Sequence, residues 1–202
     1  MSDFIVMDAE TKLLADQVEG GWNNVYGMGM SSAVTYCSAT DMYKFWPDIS
    51  RDHLCRYLHG KVVVTFNGIQ FDSKLLLGDN RIIEPNGVTR NDKYKWANAD
   101  IYVEIWRHIF NMDKSDYPAI IKKIHGQKFP KGTFNLDSVA TNTLKISKSG
   151  DGAHAPALYQ QGRIVELFEY NLQDVRVEKE LYLFIKKMRY IVTGGFDVVS
   201  FD

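Results

Sequence analysis

The hydrophobic pattern starts with short apolar runs separated by polar segments. Residues 4–7 and 62–66 are nearly continuous apolar runs, which is typical of strands buried on both faces of a sheet. Residues 25–38, rich in Val, Tyr, Gly and Ser, and the aromatic residues 42–46 predict two antiparallel strands. Together these segments predict a mixed sheet, in which an antiparallel meander is joined to parallel strands.

Helical spacing of apolar residues dominates the rest of the chain. It predicts helices at 49–58, 70–77, 101–110, 136–144 and, as the longest, 163–188. The polar stretch 79–99 predicts a loop with one short strand, and residues 145–156 predict a loop. Strands first, followed by alternating helices and strands, indicate an α/β domain whose mixed sheet is flanked by helices.

Length and composition restrict the protein class. The chain has 202 residues, of which 45% are hydrophobic and 24% charged, and a net charge of −1, which excludes collagen-like, disulfide-rich and disordered classes. An apolar run of membrane-spanning length is absent from the sequence, and the acidic N-terminus does not resemble a signal peptide. Two cysteines without a C-x-x-C pair indicate no zinc site. We therefore expect a cytoplasmic protein without membrane contact, with one domain over 1–190 and a tail over 191–202 that forms an extra strand or binds a partner.

Carboxylates follow the buried strands. Asp8 and Glu10 end the first strand, where the two-residue period places both on one face, roughly 6.6 Å apart along the strand. Their mutual repulsion favours a bound hard cation with oxygen ligands, Mg²⁺ or Mn²⁺. Asp72 follows the second buried strand, and Asp174 lies on the longest helix one turn after Tyr170. Four acids and a tyrosine on three elements predict a two-metal phosphoryl-transfer site.

Three motifs in this order resemble the DEDD superfamily of 3′–5′ exonucleases. Residues 4–11 (FIVMDAET) are similar to its apolar strand followed by D-x-E-T, and residues 67–72 (NGIQFD) to its N-x-x-x-(F/Y)-D. Residues 170–174 (YNLQD) resemble the Y-x-x-x-D pattern of the tyrosine subclass, DEDDy. The helix predicted at 136–144 and the basic loop after it most resemble the exonuclease domains of family B DNA polymerases, without an attached polymerase in these residues. The resemblance implies an RNase H-like fold.

The resemblance also implies roles for individual residues. Tyr170 would orient the attacking water, while two Mg²⁺ or Mn²⁺ ions do most of its activation because a phenol of pKa near 10 is a poor base. The implied metal ligands are Asp8, which would bridge both ions, Glu10, Asp72 and Asp174. The implied contacts to the terminal nucleotide are Thr11, Asn67 and Phe71, the last by stacking on a base.

Other patterns have simpler explanations. His108 and Asp113 have the spacing of the histidine subclass but come too soon after the second motif, so we reject them. Asp100 and Asp137 are better explained as helix N-caps. Phe71 is as consistent with a core residue as with a nucleotide contact.

Residues 114–148 contain seven Lys against two Asp. Such a basic segment is most often a solvated face, and it is alternatively a surface that follows a phosphate backbone. Near its end we expect Lys145 and Lys148 to contact substrate.

The sequence thus predicts a metal-dependent 3′–5′ exonuclease that acts on single-stranded DNA ends and releases nucleoside 5′-monophosphates. A 3′–5′ exoribonuclease of the same fold is the first alternative, because no residue is identified that would sense a 2′-hydroxyl. A nonhydrolytic nucleic-acid-binding or interaction module is the second, and the four intact acids disfavour it. A polymerase or helicase is a possible protein partner.

Overall fold

Strands and helices were assigned in a computed structural model that describes residues 3–78, 81–84, 87–90, 93–113, 116–128, 130, 132–146, 154–195 and 197–201. The strands in these ranges are β1 (Ile5–Thr11), β2 (Met30–Cys37), β3 (Met42–Pro47), β4 (Val62–Thr65), β5 (Ile82–Glu84), β6 (Gly87–Arg90), β7 (Tyr94–Asp100), β8 (Tyr190–Val192) and β9 (Val198–Ser200). The helices are α1 (Val25–Met28), α2 (Arg51–Leu58), α3 (Asp72–Leu77), α4 (Ile101–Phe110), α5 (Tyr117–His125), α6 (Leu136–Leu144), α7 (His154–Gln160) and α8 (Ile164–Met188).

The main sheet has the strand order β3-β2-β1-β4-β7-β6-β5. Strands β3, β2 and β1 form an antiparallel meander, and β4 and β7 continue the sheet parallel to β1. Strands β6 and β5 extend it with antiparallel pairing. The predicted α/β class with a mixed, helix-flanked sheet is confirmed, and the arrangement is an RNase H-like fold.

Each face of the sheet carries its own core, because successive side chains of a strand point to opposite faces. Ile5 and Met7 of β1 belong to the cluster that includes α2 and α3. Val6, between them, packs with Val175 and Leu181 of α8. The long helix therefore covers the face on which the even-numbered residues of β1 lie, and that alternation decides where the acids of β1 point.

The prediction of a loop with one short strand over 79–99 is wrong, because described parts of this segment form three strands, β5, β6 and β7. Tyr94 and Trp96 are buried while Lys95 between them is exposed, as in a half-buried strand. The polar residues Asn98 and Asp100 are also on the buried side of β7, so the apolar residues alone did not show this two-residue period. Residues 25–28, predicted as strand, instead form the single helical turn α1.

Two helices are additional to the prediction, and the end of the chain is paired. Helix α5 lies within the lysine-rich segment, and α7 begins at the end of the loop predicted at 145–156, of which 147–153 lie outside the described residues. Strands β8 and β9 form a hairpin, and Ile191 and Val199 in it pack in the same cluster as α8. Among the described residues, no helix combines the length and the apolar character needed to cross a membrane.

Candidate metal centre

Three carboxylates meet where the end of β1 faces α8. Asp8 and Glu10 are two residues apart on β1, on the same face as Val6, and Asp174 projects from α8. One oxygen of each carboxylate lies within 4.8 Å of the other two. Oxygen ligands at such separations suit a hard divalent cation such as Mg²⁺ or Mn²⁺. These three residues could therefore hold a metal ion.

A β-bulge shapes the strand end that carries these acids. Glu10 pairs with Ser32 of β2, whereas Thr11 pairs with Met30, so Ser31 is the extra residue on the β2 side. Bulges bend the strand and increase its local twist, and they are frequent next to active sites. The regular pairing of β1 with β2 therefore extends through Asp8 and Glu10 and shifts directly after them.

Asp72 lies beside the cluster and is tied to the backbone of β1. Strand β4 pairs with β1 only at Ile5 and Val6, so the later part of β1 has no strand beside it on that edge. The Ala9 backbone N–H donates instead to Oδ1 of Asp72, at 2.9 Å. Burial raises the pKa of Asp72 to about 7, because only part of the desolvation is offset by this hydrogen bond.

The charges of the neighbouring acids all act on Asp8. Its pKa lies well above the usual range, with burial the largest cause and the negative charges of Glu10 and Asp72 the next. Glu178 and Asp174 on α8 raise it further. An acidic group in such surroundings is stabilised by a cation, and the fit of the carboxylates to a divalent ion therefore rests on charge as well as on geometry.

Two buried residues on α8 belong to the site and were not among the residues predicted from the sequence. Asn171 is fully buried and its Nδ2 donates a hydrogen bond to Oδ2 of Asp8. Glu178 is 1% exposed and lies one turn after Asp174, on the same side of the helix. A polar residue every third or fourth position along the helix was the available signal, because Asn171, Asp174 and Glu178 follow that spacing.

Asp100 positions the turn that leads into α3 and Asp72. Its carboxylate accepts hydrogen bonds from the backbone N–H groups of Tyr102 and Val103, which makes it the N-cap of α4. It also accepts from the N–H groups of Asn67 and Ile69, both at 2.9 Å. The predicted N-cap is confirmed, and the same side chain fixes the turn between β4 and α3.

Asn67, within that turn, lies apart from the acids. Its φ is +68°, a left-handed conformation that Asn adopts more readily than most residues, and its Oδ1 accepts from Gln70 Nε2 at 2.8 Å. Asn67 lines a cavity together with Phe66 and Phe134, and none of the acids lines that cavity. The structure therefore does not bring Asn67 to the acidic cluster.

Tyr170 lies one helical turn before Asp174 and is 6% exposed. Helix α7 packs against Tyr170, because Ala155 and Leu158 of this helix form a small buried cluster with it. The ring of His154, the first residue of α7, meets the Tyr170 ring edge to face at a centroid distance of 5.7 Å. The packing fixes the phenol next to the acids.

A cavity of about 350 Å³ joins these groups. One part of its wall carries Asp8, Glu10, Asp174 and Tyr170, and Thr11 lies beside them. The rest of the wall is mainly apolar and includes Leu13, Leu14, Trp22, Met28, Phe71 and Pro156. Of the nucleotide contacts implied by the sequence, Thr11 and Phe71 thus reach the acidic cavity.

The remaining sequence candidates lie elsewhere or outside the described residues. Lys145 ends α6 with a φ of +63°, and its Nζ donates to the carbonyl of Asn142 at 3.2 Å. Lys148 lies outside the described residues. His108 is on α4, with its ring 4.7 Å from that of Phe201, and Asp137 lies in the first turn of α6, where Asn135 is the N-cap. The prediction of Asp137 as an N-cap is therefore wrong by two positions.

Comparison with solved structures shows a likeness in fold. The chain is similar to the family B DNA polymerase from the hyperthermophilic archaeon Pyrobaculum calidifontis, with a TM-score of 0.56 and 13% sequence identity. The match covers 91% of this chain and 24% of the polymerase, so the chain spans about a quarter of that protein's length. No family model matches the chain, and no curated protein matches it in sequence. The likeness establishes the fold.

Proposed function

We propose that the protein is a metal-dependent 3′–5′ exonuclease of the DEDDy type, which removes nucleoside 5′-monophosphates from the 3′ ends of single-stranded DNA. The observation that carries the proposal is the meeting of Asp8, Glu10 and Asp174 within 4.8 Å, in one cavity with Tyr170. The likeness of the fold to a family B DNA polymerase supports a nucleic-acid substrate. We assign the activity to residues 1–190.

The residues of the chain have distinct tasks in this reaction. Asp8, Glu10 and Asp174 present oxygen ligands for two divalent ions, with Asp72 completing the set next to Asp8. Bound Mg²⁺ or Mn²⁺ supplies charge stabilisation of the phosphate and lowers the pKa of the attacking water. Tyr170 orients that water by a hydrogen bond. A bond forms from the water oxygen to phosphorus, the bond to the 3′-oxygen breaks, and this oxygen takes up a proton.

Asn171 maintains the arrangement without contacting substrate. Its amide donates to Oδ2 of Asp8 from a fully buried position on α8. This hydrogen bond fixes one oxygen of the carboxylate and leaves the other to face the cavity. Partners of this kind usually change metal affinity or activity by about 10- to 100-fold when they are removed.

The cavity favours an unpaired strand end. Its mainly apolar wall suits an unstacked base, and the acids in the same cavity suit a phosphate held through divalent ions. A terminal base pair would need to open before one strand could enter. RNA with a free 3′ end fits the same description, so the preferred sugar is a result of the experiment below.

The test uses strands labelled at the 5′ end: single-stranded DNA, duplex DNA and RNA. Each is incubated with the protein in Mg²⁺, Mn²⁺ or EDTA. We expect a ladder that shortens from the 3′ end of single-stranded DNA with either metal and intact strands in EDTA. A ladder on RNA alone would indicate an exoribonuclease.

Asp174→Asn is the variant that tests the site, because it removes the charge of one metal ligand and retains the shape of the side chain. It should abolish the ladder. Asp137→Asn makes the same exchange at an exposed helix position and should leave the ladder unchanged. Bound but intact strands with every metal would contradict hydrolysis and favour a binding module.

A further inference from the structure

Trp22 is an exposed aromatic side chain at the edge of the acidic cavity. It is 69% exposed, whereas Trp96 and Trp106 are buried and Trp46 is half-buried. It lines the same cavity as Asp8 and Asp174. A large apolar ring that is kept in solvent beside a site for a charged group is a feature of surfaces that bind amphipathic ligands.

The loop that carries Trp22 is held by specific contacts. Gly20, with a φ of +87°, begins the turn Gly21–Asn23, a backbone conformation that suits glycine. Asn24 closes the loop, since its Nδ2 donates to the carbonyl of Glu19 at 3.0 Å and its Oδ1 accepts from the N–H of Gly27 at 3.0 Å. The exposure of Trp22 is therefore set by the local backbone.

A second tether links this region to α7. Gln160 Nε2 donates to Gln17 Oε1 at 3.0 Å and to the carbonyl of Lys12 at 2.8 Å. Helix α7 also packs against Tyr170. The residues that precede the Trp22 turn and the helix that packs against Tyr170 are thus joined by hydrogen bonds.

Phe71 supports Trp22 from behind. The two ring centroids are 6.3 Å apart and the planes are inclined by 52°. A base inserted between two rings needs parallel planes about 7 Å apart, twice the optimal carbon–carbon contact distance of about 3.5 Å. Phe71 is itself packed against the core. A base can therefore stack on the outer face of Trp22 but not between the two rings.

We propose that Trp22, supported by Phe71, is a stacking platform for a base next to the scissile phosphate of a bound single strand. This inference rests on the proposed function, because it places the strand end in the acidic cavity. It assigns the direct base contact to Trp22 and makes Phe71 its support. Stacking on an aromatic ring accepts every base, so we expect binding without strong sequence preference.

Tryptophan fluorescence tests this assignment directly. A single-stranded DNA oligonucleotide is titrated into the protein in EDTA, so that binding is observed without hydrolysis. We expect quenching of the emission, because Trp22 is the exposed tryptophan among the four of the chain. Trp22→Phe should remove most of the quenching and preserve most of the affinity, since Phe retains a stacking face. Trp46→Phe should leave the quenching in place.

Trp22→Ala measures the contribution of the platform to binding, by anisotropy of a labelled oligonucleotide. We expect Kd to increase about 5- to 150-fold, which corresponds to about 1–3 kcal/mol at a factor of ten per 1.4 kcal/mol. Val198→Ala, another exposed apolar position, is the matched control and should leave Kd unchanged. Phe71→Ala should weaken binding in the same direction, because Trp22 loses its support.

The outcomes separate this inference from the proposed function. Hydrolysis by the wild type with unchanged Kd and unchanged quenching in Trp22→Ala and Trp22→Phe would overturn the platform and leave the exonuclease intact. Quenching that depends on Trp22, in a protein that hydrolyses no strand with any metal, would support the platform and overturn the exonuclease. Circular dichroism of each variant checks that the fold is retained, as we expect for the exposed position of Trp22.

Discussion

Replacing Asp72 with Asn should stabilise the metal-free protein at pH 8. Asp72 is 3% exposed, and its pKa is raised from an ordinary 3.8 to about 7. Because the folded-state pKa lies above the unfolded-state value, the protonated carboxyl favours folding most at low pH. This contribution is full below about pH 4 and is lost as the pH rises through about 7.

The size of the effect follows from the same shift. At about 1.4 kcal/mol per pKa unit, ionising Asp72 in the folded protein costs about 4 kcal/mol of stability, and about 3 kcal/mol of this is lost between pH 5 and pH 8. Asn removes the charge, and its Oδ1 can still accept the hydrogen bond from the Ala9 N–H. The pKa of Asp8 falls in the same variant, because Asp72 is one of the charges that raise it.

Urea denaturation in EDTA at pH 5 and pH 8 measures this difference. We expect the free energy of unfolding of Asp72→Asn to exceed that of the wild type by about 3 kcal/mol more at pH 8 than at pH 5, with similar m-values. Added Mg²⁺ should stabilise the wild type more than the variant, because a ligand that binds only the folded state shifts unfolding. A wild-type stability that does not change between pH 5 and pH 8, or a variant that is less stable at both, would refute the reasoning.

Three further substitutions probe separate parts of the site. Tyr170→Phe should lower the hydrolysis rate about 10²- to 10⁴-fold in a gel assay and leave Mn²⁺ affinity unchanged, because the phenol orients water and binds no ion; an unchanged rate would make Tyr170 structural. Asn171→Ala should weaken Mn²⁺ binding in calorimetry about 10- to 100-fold, since Asp8 loses its hydrogen bond; unchanged affinity would contradict that role. Asp100→Asn should cost about 1–3 kcal/mol of unfolding free energy, because the amide that replaces one carboxylate oxygen cannot accept from a backbone N–H group, whereas Asp137→Asn should change it by less than about 0.5 kcal/mol.

Much of the architecture could be predicted from apolar periodicity. β1 and β4 are short apolar runs, and α8 is long enough for its helical spacing to be clear. The order of these elements and the mixed pairing of the sheet could therefore be predicted. The three strands of segment 79–99 could not be predicted, because β5 and β6 are short and the buried side of β7 includes the polar residues Asn98 and Asp100. They are stabilised by pairing with each other and with β4. Such strands depend on contacts with neighbours that a local pattern does not contain.

The acids of the site were predictable because strand and helix periods place them. Asp8 and Glu10 share a face of β1, and Asp174 meets them because α8 covers that face. The contribution of Asn171 depends on the rotation of α8 relative to β1, and that of Trp22 on the fold of a glycine turn. Both are tertiary arrangements, so neither could be predicted from spacing alone.

Hydrolysis of a terminal phosphodiester by water is tested most directly by the oxygen content of the product. Unlabelled single-stranded DNA is incubated with the protein and Mg²⁺ in water enriched in the heavy oxygen isotope, and the released material is examined by mass spectrometry. We predict nucleoside 5′-monophosphates with one heavy oxygen in each phosphate, and none when Asp174 is replaced by Asn. Release of longer oligonucleotides, of products without heavy oxygen, or of equal product from the Asp174→Asn variant would contradict this assignment.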